Sequence, residues 1–178
     1  MEGMIKEQAE TFIFRKAEIA DAGRIWEILQ QAIERRRLDG SRQWQDGYPN
    51  PDTVKTDLAN GWGFVLADET GVIAYSALIV NDEPAYDQID GAWLTHGDFL
   101  VIHRVAVSDE VAGKGIATRL FKEIEAYALS KQIPSIKVDT NFDNAAMLRV
   151  LEKLGYIYCG EVILYGAPRK AFEKVLMT

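Results

Sequence analysis

The stretch VAVSDEVAGKGIATRLF, residues 105–121, decides how the rest of the chain is read. A β-branched apolar run stops at a polar turn, two glycines flank Lys114, and a helical pattern begins at once. Where a strand enters a helix through glycines, the first helical N–H groups lack an internal partner and sit at the positive end of the dipole. Backbone alone then makes an anion site, with Gly113 and Gly115 keeping side chains out of it. Lys114 adds a mobile positive charge and Thr118 a further donor. A plainer reading is that both glycines only permit positive φ in a tight turn.

Two phosphate motifs can be tested against the stretch. A P-loop needs Ser or Thr after its lysine, and Gly115 follows Lys114. A dinucleotide fingerprint needs a third glycine where Thr118 stands, although Asp139 lies about 20 residues downstream, where a ribose-binding acid is expected. The turn comes late and follows a hairpin, so a doubly wound nucleotide domain is only the runner-up.

Downstream, TRLFKEIEAYALSKQ puts Leu120, Phe121, Ile124, Tyr127 and Ala128 on one helical face. SIKVDT reads as a strand, NAAMLRVLEKLGY as a helix ending near Gly155, and YIYCGEVIL as a strand, with Ala171–Leu176 expected to pair beside it. Upstream, FLVIHRVAV is a strand, and FVLAD and VIAYSALIV form a hairpin about the turn at Glu69–Gly71. Thr11–Arg15 reads as a first strand. Asp21 is expected to cap a helix carrying Ile25, Trp26, Leu29 and Ile33 to about Arg37, and Pro51–Leu58 a short helix with proline where it is tolerated. LDGSRQWQDGYPNP and residues 81–98 are loop-like. This order predicts a mixed α/β (α+β) fold: a central sheet, antiparallel in its N-terminal half and parallel through a β-α-β unit, flanked by helices. One domain over 1–178 is expected, with 1–11 as a peripheral N-terminus.

Acidic residues number 27 against 20 basic ones, a net charge of −7, which argues against nucleic acid or anionic membranes as general partners. No apolar run approaches the roughly 20 residues that span a bilayer. The opening MEGMIKEQAE is unlike a signal or transit peptide. The single cysteine, Cys159, cannot form an internal disulfide, so the expected compartment is the reducing cytoplasm.

Taken together, V-x-V, a short turn, G-K-G-I-A, a helix, a strand, then N-x-x-M and L-E-K-L-G-Y resemble the GNAT superfamily of acyl-CoA-dependent N-acyltransferases. The resemblance implies acetyl-CoA as cosubstrate and a sheet that splays to admit it. The family pattern Q/R-x-x-G-x-G/A, which wraps the CoA pyrophosphate, falls on Ala112, Gly113, Lys114, Gly115, Ile116 and Ala117; Ala112 departs from the usual Gln or Arg. The pantetheine-binding strand corresponds to Val105, Ala106 and Val107, where a backbone N–H can also polarise the thioester carbonyl. Asn144 matches an asparagine that contacts the CoA arm, and also reads simply as a residue at a helix N-terminus. Leu151 stands where many members carry a general-acid tyrosine.

An ammonium cannot attack a thioester, so the reaction needs a base. His103, two residues before Val105 and on the same face of a regular strand, suits proton removal near neutrality; a hydrogen-bonded core histidine is the alternative. Glu83 is the rival base, with Asp82 beside it. Tyr156 and Tyr158 read as sheet packing, Cys159 as a buried small apolar residue, His96 as surface, and the run Arg35–Arg37 as complementing a helix C-terminus. Trp44, Tyr48, Tyr86 and Trp93 are loop aromatics placed to line an acceptor site. Glu83, Asp87 and Asp90 suggest a cationic acceptor. The expected activity is acetyl transfer to a small amine or amino-acid-like acceptor, by a protein that is monomeric or a homodimer and holds no metal. A non-catalytic acyl-CoA-binding module on the same fold is the alternative.

Overall fold

The computed structural model describes residues 10–177. The expectation for 1–11 falls mostly outside that range; Glu10 and Thr11 are exposed ahead of the first strand. Eight strands form one sheet: β1 (Ile13–Lys16), β2 (Gly63–Asp68), β3 (Gly71–Val80), β4 (Asp90–Gly91), β5 (Leu100–Val107), β6 (Ser135–Thr140), β7 (Ile157–Leu164) and β8 (Ala167–Val175). Four helices accompany them: α1 (Ala22–Leu38), α2 (Pro51–Ala59), α3 (Ile116–Ser130) and α4 (Ala145–Lys153). Short 3-10 turns occupy Ile19–Asp21, Pro84–Gln88 and Asp109–Val111.

The strand order is β1-β2-β3-β5-β6-β8-β7-β4, antiparallel throughout except for β5 beside β6. The mixed sheet expected from the sequence is thus present, and the parallel pair is the one closed by α3. The last apolar stretch pairs beside β7, as expected, and β8 is inserted between β6 and β7, antiparallel to both. The tight turn at Tyr165 (φ 51°) and Gly166 (φ 74°) joins β7 to β8, its paired positive φ angles matching the twist of a two-residue hairpin.

Helices cover both faces. The residues of α3 and α4 pack with Phe64, Leu66, Leu100, Ile102 and Val105 into one core. On the opposite face α1 and α2 bury Val65, Tyr75 and Ala106, while the 81–98 connection covers Val101, Val162 and Ala171. α2 starts as its sequence dictates: the Asn50 side chain accepts from Thr53 N–H (3.1 Å) and Pro51 fills the first turn. Asp21 sits at the start of α1, but its carboxylate is engaged by Arg15 (2.7 Å) and by Glu18 N–H (2.8 Å) rather than by the helix.

Two irregularities in β5 create the site. The parallel ladder to β6 runs only from Leu100 to Ile102, so the next five residues of β5 have no strand on that side. At the same level, Ala77 pairs with His103 and Tyr75 with Ala106, which leaves Arg104 and Val105 opposite Ser76 alone. This is a β-bulge, and Arg104 takes up the extra residue at φ 55°. Its parity matters. Val101 faces the 81–98 side, whereas Ile102 and Val105 both face α3. His103, two residues after Val101, therefore does not share a face with Val105 as a regular strand would require.

Candidate active site

A cleft of about 440 Å³ opens where β5 and β6 diverge. Of the residues expected to hold CoA, every one except Lys114 lines it, from Val105–Val107 through Ala112, Gly113 and Gly115–Thr118 to Asn144. Gly113 (φ 78°) and Gly115 (φ 74°) adopt the left-handed backbone that disfavours any side chain. The first α3 bond runs from Arg119 N–H to Gly115 O (3.1 Å), so the N–H groups of Ile116, Ala117 and Thr118 meet no backbone acceptor among the described residues. Free donors at a helix start, with open space at both glycines, fit a pyrophosphate. Arg35, read from the sequence as complementing its helix C-terminus, and Arg149, which the sequence does not single out, also line the cleft. Arg35 is joined to Asp109 (2.8 Å), so the basic run does more than complement its own helix. Asn144 lines the cleft, but its side chain also caps α4 at Met147 N–H (3.2 Å) and donates to Gln43 (2.9 Å).

A smaller cavity of about 40 Å³ adjoins the cleft, and Arg36, Val105, Asn144 and Met147 wall both. Trp44 and Tyr48 line it, as does His103. His103 Nε2 lies 3.0 Å from Glu83 Oε2, both side chains 14% exposed, so the two rival bases form one pair. The hydrogen bond from His103 holds the Glu83 carboxyl below the usual carboxylate range. Arg104 is fixed by Asp57 (2.9 Å) and by the Tyr48 hydroxyl (2.6 Å), both bonds made by its guanidinium. Arg169 pairs with Asp139, whose other oxygen accepts from the Tyr86 hydroxyl (2.6 Å). Asp57, Tyr165, Thr140 and Arg169 come from distant segments, and no local pattern announces them.

Several expected residues lie elsewhere. Tyr86 and Trp93 are stacked with ring centroids 4.9 Å apart under the 81–98 connection, and neither lines the small cavity. Asp82, Asp87 and Asp90 are exposed on that connection, as is His96. Leu151 is wholly buried in the α3–α4 core. Tyr156 is buried on that same face, and burial pushes its phenol far up; Tyr158 is half exposed on β7. Neither tyrosine lines the cleft or the small cavity. Cys159 is buried, its thiol pushed up by desolvation, and among the described residues its thiol hydrogen-bonds Ile157 O and no histidine. Gln45 donates to Ile33 O (2.9 Å) and serves the loop.

Residues 25–156 match the family model described as Acetyltransferase (GNAT) family. Over 157 residues, 85% of each chain, the protein is 26% identical to one from Bacillus subtilis (strain 168) named Uncharacterized N-acetyltransferase YesJ. The crystal structure of a GNAT-family acetyltransferase from Streptococcus agalactiae superposes with a TM-score of 0.85 at 33% identity, covering 92% of this chain and 95% of that one. YncA from Salmonella typhimurium, solved with its cofactor acetyl-CoA, shares the fold at a TM-score of 0.65 and 17% identity, over 93% and 94% of the two chains. No helix among the described residues is long and apolar enough to cross a membrane. Sequence match and superposition over most of the chain lead to one conclusion: the protein belongs to the GNAT acetyltransferase family and is an acyltransferase whose acetyl donor is acetyl-CoA.

Proposed function

We propose that the protein acetylates the amino nitrogen of a small amine, with His103 accepting the ammonium proton and Glu83 orienting and stabilising the imidazolium. The observation that carries this is the His103–Glu83 contact of 3.0 Å at the wall of a cavity that shares Val105 with the donor cleft. The bound donor supplies an activated acetyl thioester. The N–H groups at Ile116–Thr118 bind its pyrophosphate, and the unpaired edge of β5 from Val105 to Val107 aligns the arm. His103, beside the cavity rather than in the pantetheine groove, takes the proton from the acceptor. Glu83 remains ionised across the neutral range and so stabilises the positive ring that results.

With Leu151 apolar and Tyr156 remote, no side chain of α4 serves as general acid, and the departing thiolate takes its proton from water. The test is to mix the protein with acetyl-CoA across an amine panel while following thiol release and acetylated product. Release that depends on amine and falls in His103→Gln is the expected result. Amine-independent release, or none, would overturn the reading.

A further inference from the structure

Around the small cavity, cationic side chains are matched one by one with acids: Arg104 with Asp57, Arg169 with Asp139, His103 with Glu83. Arg36 is the exception. Its Nη1 donates to Ala32 O (3.1 Å) and its Nη2 to Val105 O (3.2 Å), and the Trp44 ring lies 3.9 Å from its guanidinium carbon. No carboxylate pairs with it among the described residues, and its Nε is buried without an acceptor. Desolvation, and repulsion from Arg169, pull its pKa down to about 10 against a smaller opposing pull from Asp39, which still leaves it charged at neutral pH. A desolvated cation with no carboxylate in direct contact is costly, and a rigid guanidinium with a free N–H is a ready partner for a carboxylate.

A second orphan lies along the same cavity. Thr140 Oγ1, at the end of β6, is buried and has no partner. Arg36 and Thr140 thus account for two of the three orphaned buried side-chain atoms among the described residues; the third, the Tyr156 hydroxyl, belongs to the core beneath α3 and α4. Buried polar atoms left unsatisfied by the protein call for a ligand or water to complete them. A volume of about 40 Å³ suits a group of carboxylate size and not a large one. The walls are complementary to a zwitterion, with unmatched Arg36 offering positive charge and the His103–Glu83 pair receiving the ammonium.

We infer that Arg36 and Thr140 bind the carboxylate of the acceptor, so that the substrate is a free amino acid rather than a simple amine. This rests on the transferase reading above. The guanidinium is already anchored to two backbone carbonyls and a ring, so little freedom is lost when a carboxylate docks on its remaining donor.

The test compares kcat/KM for amino acids, each against the amine that lacks only the carboxylate (leucine with 3-methylbutylamine, phenylalanine with phenethylamine, and so through the common set). The wild type should prefer at least one acid over its amine by about 10²-fold or more, because the amine leaves buried donors unpaired. Arg36→Gln should shrink that ratio at least tenfold, Arg36→Lys less, and Thr140→Val severalfold. A clamp that merely holds Val105 would lower both members of each pair together and leave the ratio unchanged. Should Arg36→Gln not fold, Thr140→Val alone decides, since Val is close to Thr in shape. Wild-type amines used as well as acids, or a ratio unmoved in the folded variants, would overturn this inference and leave the transferase reading standing. No thiol release with any amine or any amino acid would overturn both.

Discussion

The two cavities that meet at Val105 are built on opposite principles. The donor cleft is made largely of backbone: glycines at positive φ, unpaired N–H groups at the head of α3, and the free edge of β5. The smaller cavity, which we assign to the acceptor, is made of charged side chains, nearly all held in pairs by partners from other segments. A backbone site tolerates many sequences so long as the turn forms; a side-chain site changes with each residue. One face can then stay committed to a single donor while the other is specialised for its acceptor.

The sharpest test of that contrast is a side-chain change on the acceptor side. His103→Gln should lower kcat/KM by about 10²- to 10⁴-fold, as removal of a general base does, with acetyl-CoA affinity nearly unchanged. A variant that loses thermal stability and donor binding together would make His103 a core residue. The pH dependence of stability adds a signed check. Because Glu83 has a lowered pKa in the folded state, its contribution is fully present above the unfolded value near 4.5 and is lost as pH falls through the lower folded value. Acid unfolding of Glu83→Gln should lack the contribution of this pair.

Next in size is a change that leaves chemistry alone. Asp57 and Arg104 are nearly sealed from solvent, and Asp57 also accepts from the Tyr75 hydroxyl (2.6 Å). Asp57→Asn strands a buried guanidinium on the bulge and should cost about 3–5 kcal/mol. For a chain of this size that is a fall in Tm of roughly 6–20 °C, measurable by calorimetry. An unchanged Tm would show that the acceptor wall does not depend on paired charges.

On the donor side, backbone should matter and side chains should not. Gly115→Val forces a β-branched residue into φ 74°, a strain of about 1–2 kcal/mol, and should weaken acetyl-CoA binding by about tenfold or more. Lys114→Ala, on an exposed residue outside the cleft lining, should cost about twofold and only at low salt. If titration calorimetry reversed that order, the cleft would be a side-chain site after all. The smallest effect belongs to Tyr156→Phe. Its hydroxyl is buried without a partner, so turnover and stability should hardly move. A loss of about a hundredfold would mark that tyrosine as the missing acid.

The same contrast explains what could be read from the sequence. The turn at Gly113–Thr118, the helix it opens and the β-α-β unit are contiguous, so spacing alone displays them. Arg104 gives no such signal: the bulge arises opposite Ser76, which lies on another strand, so no local pattern shows it, and it turns the face of every residue after it. The Asp57–Arg104 and Asp139–Arg169 pairs join segments that meet only in the folded sheet. Tyr86 reads as a loop aromatic free to line a site, yet the residue is 2% exposed and its hydroxyl serves Asp139. The pairing of β8 with β7 was legible, but its pairing with β6 on the other side joins Ser135–Thr140 to Lys170–Val175, which no local pattern displays.

The short parallel ladder has a mechanical consequence. Three residue pairs, Leu100–Ile136 to Ile102–Val138, are all that stitch the half-sheet β1-β2-β3-β5 to the half-sheet β6-β8-β7-β4 through strand pairing. Under a load applied across the sheet, those rungs carry the force while the long antiparallel ladders on either side stay intact. Compliance across the strands is therefore concentrated along one line, and that line opens into the cleft we assign to the donor. Hinging there would widen the cleft for a thioester arm while the antiparallel ladders on either side stayed paired.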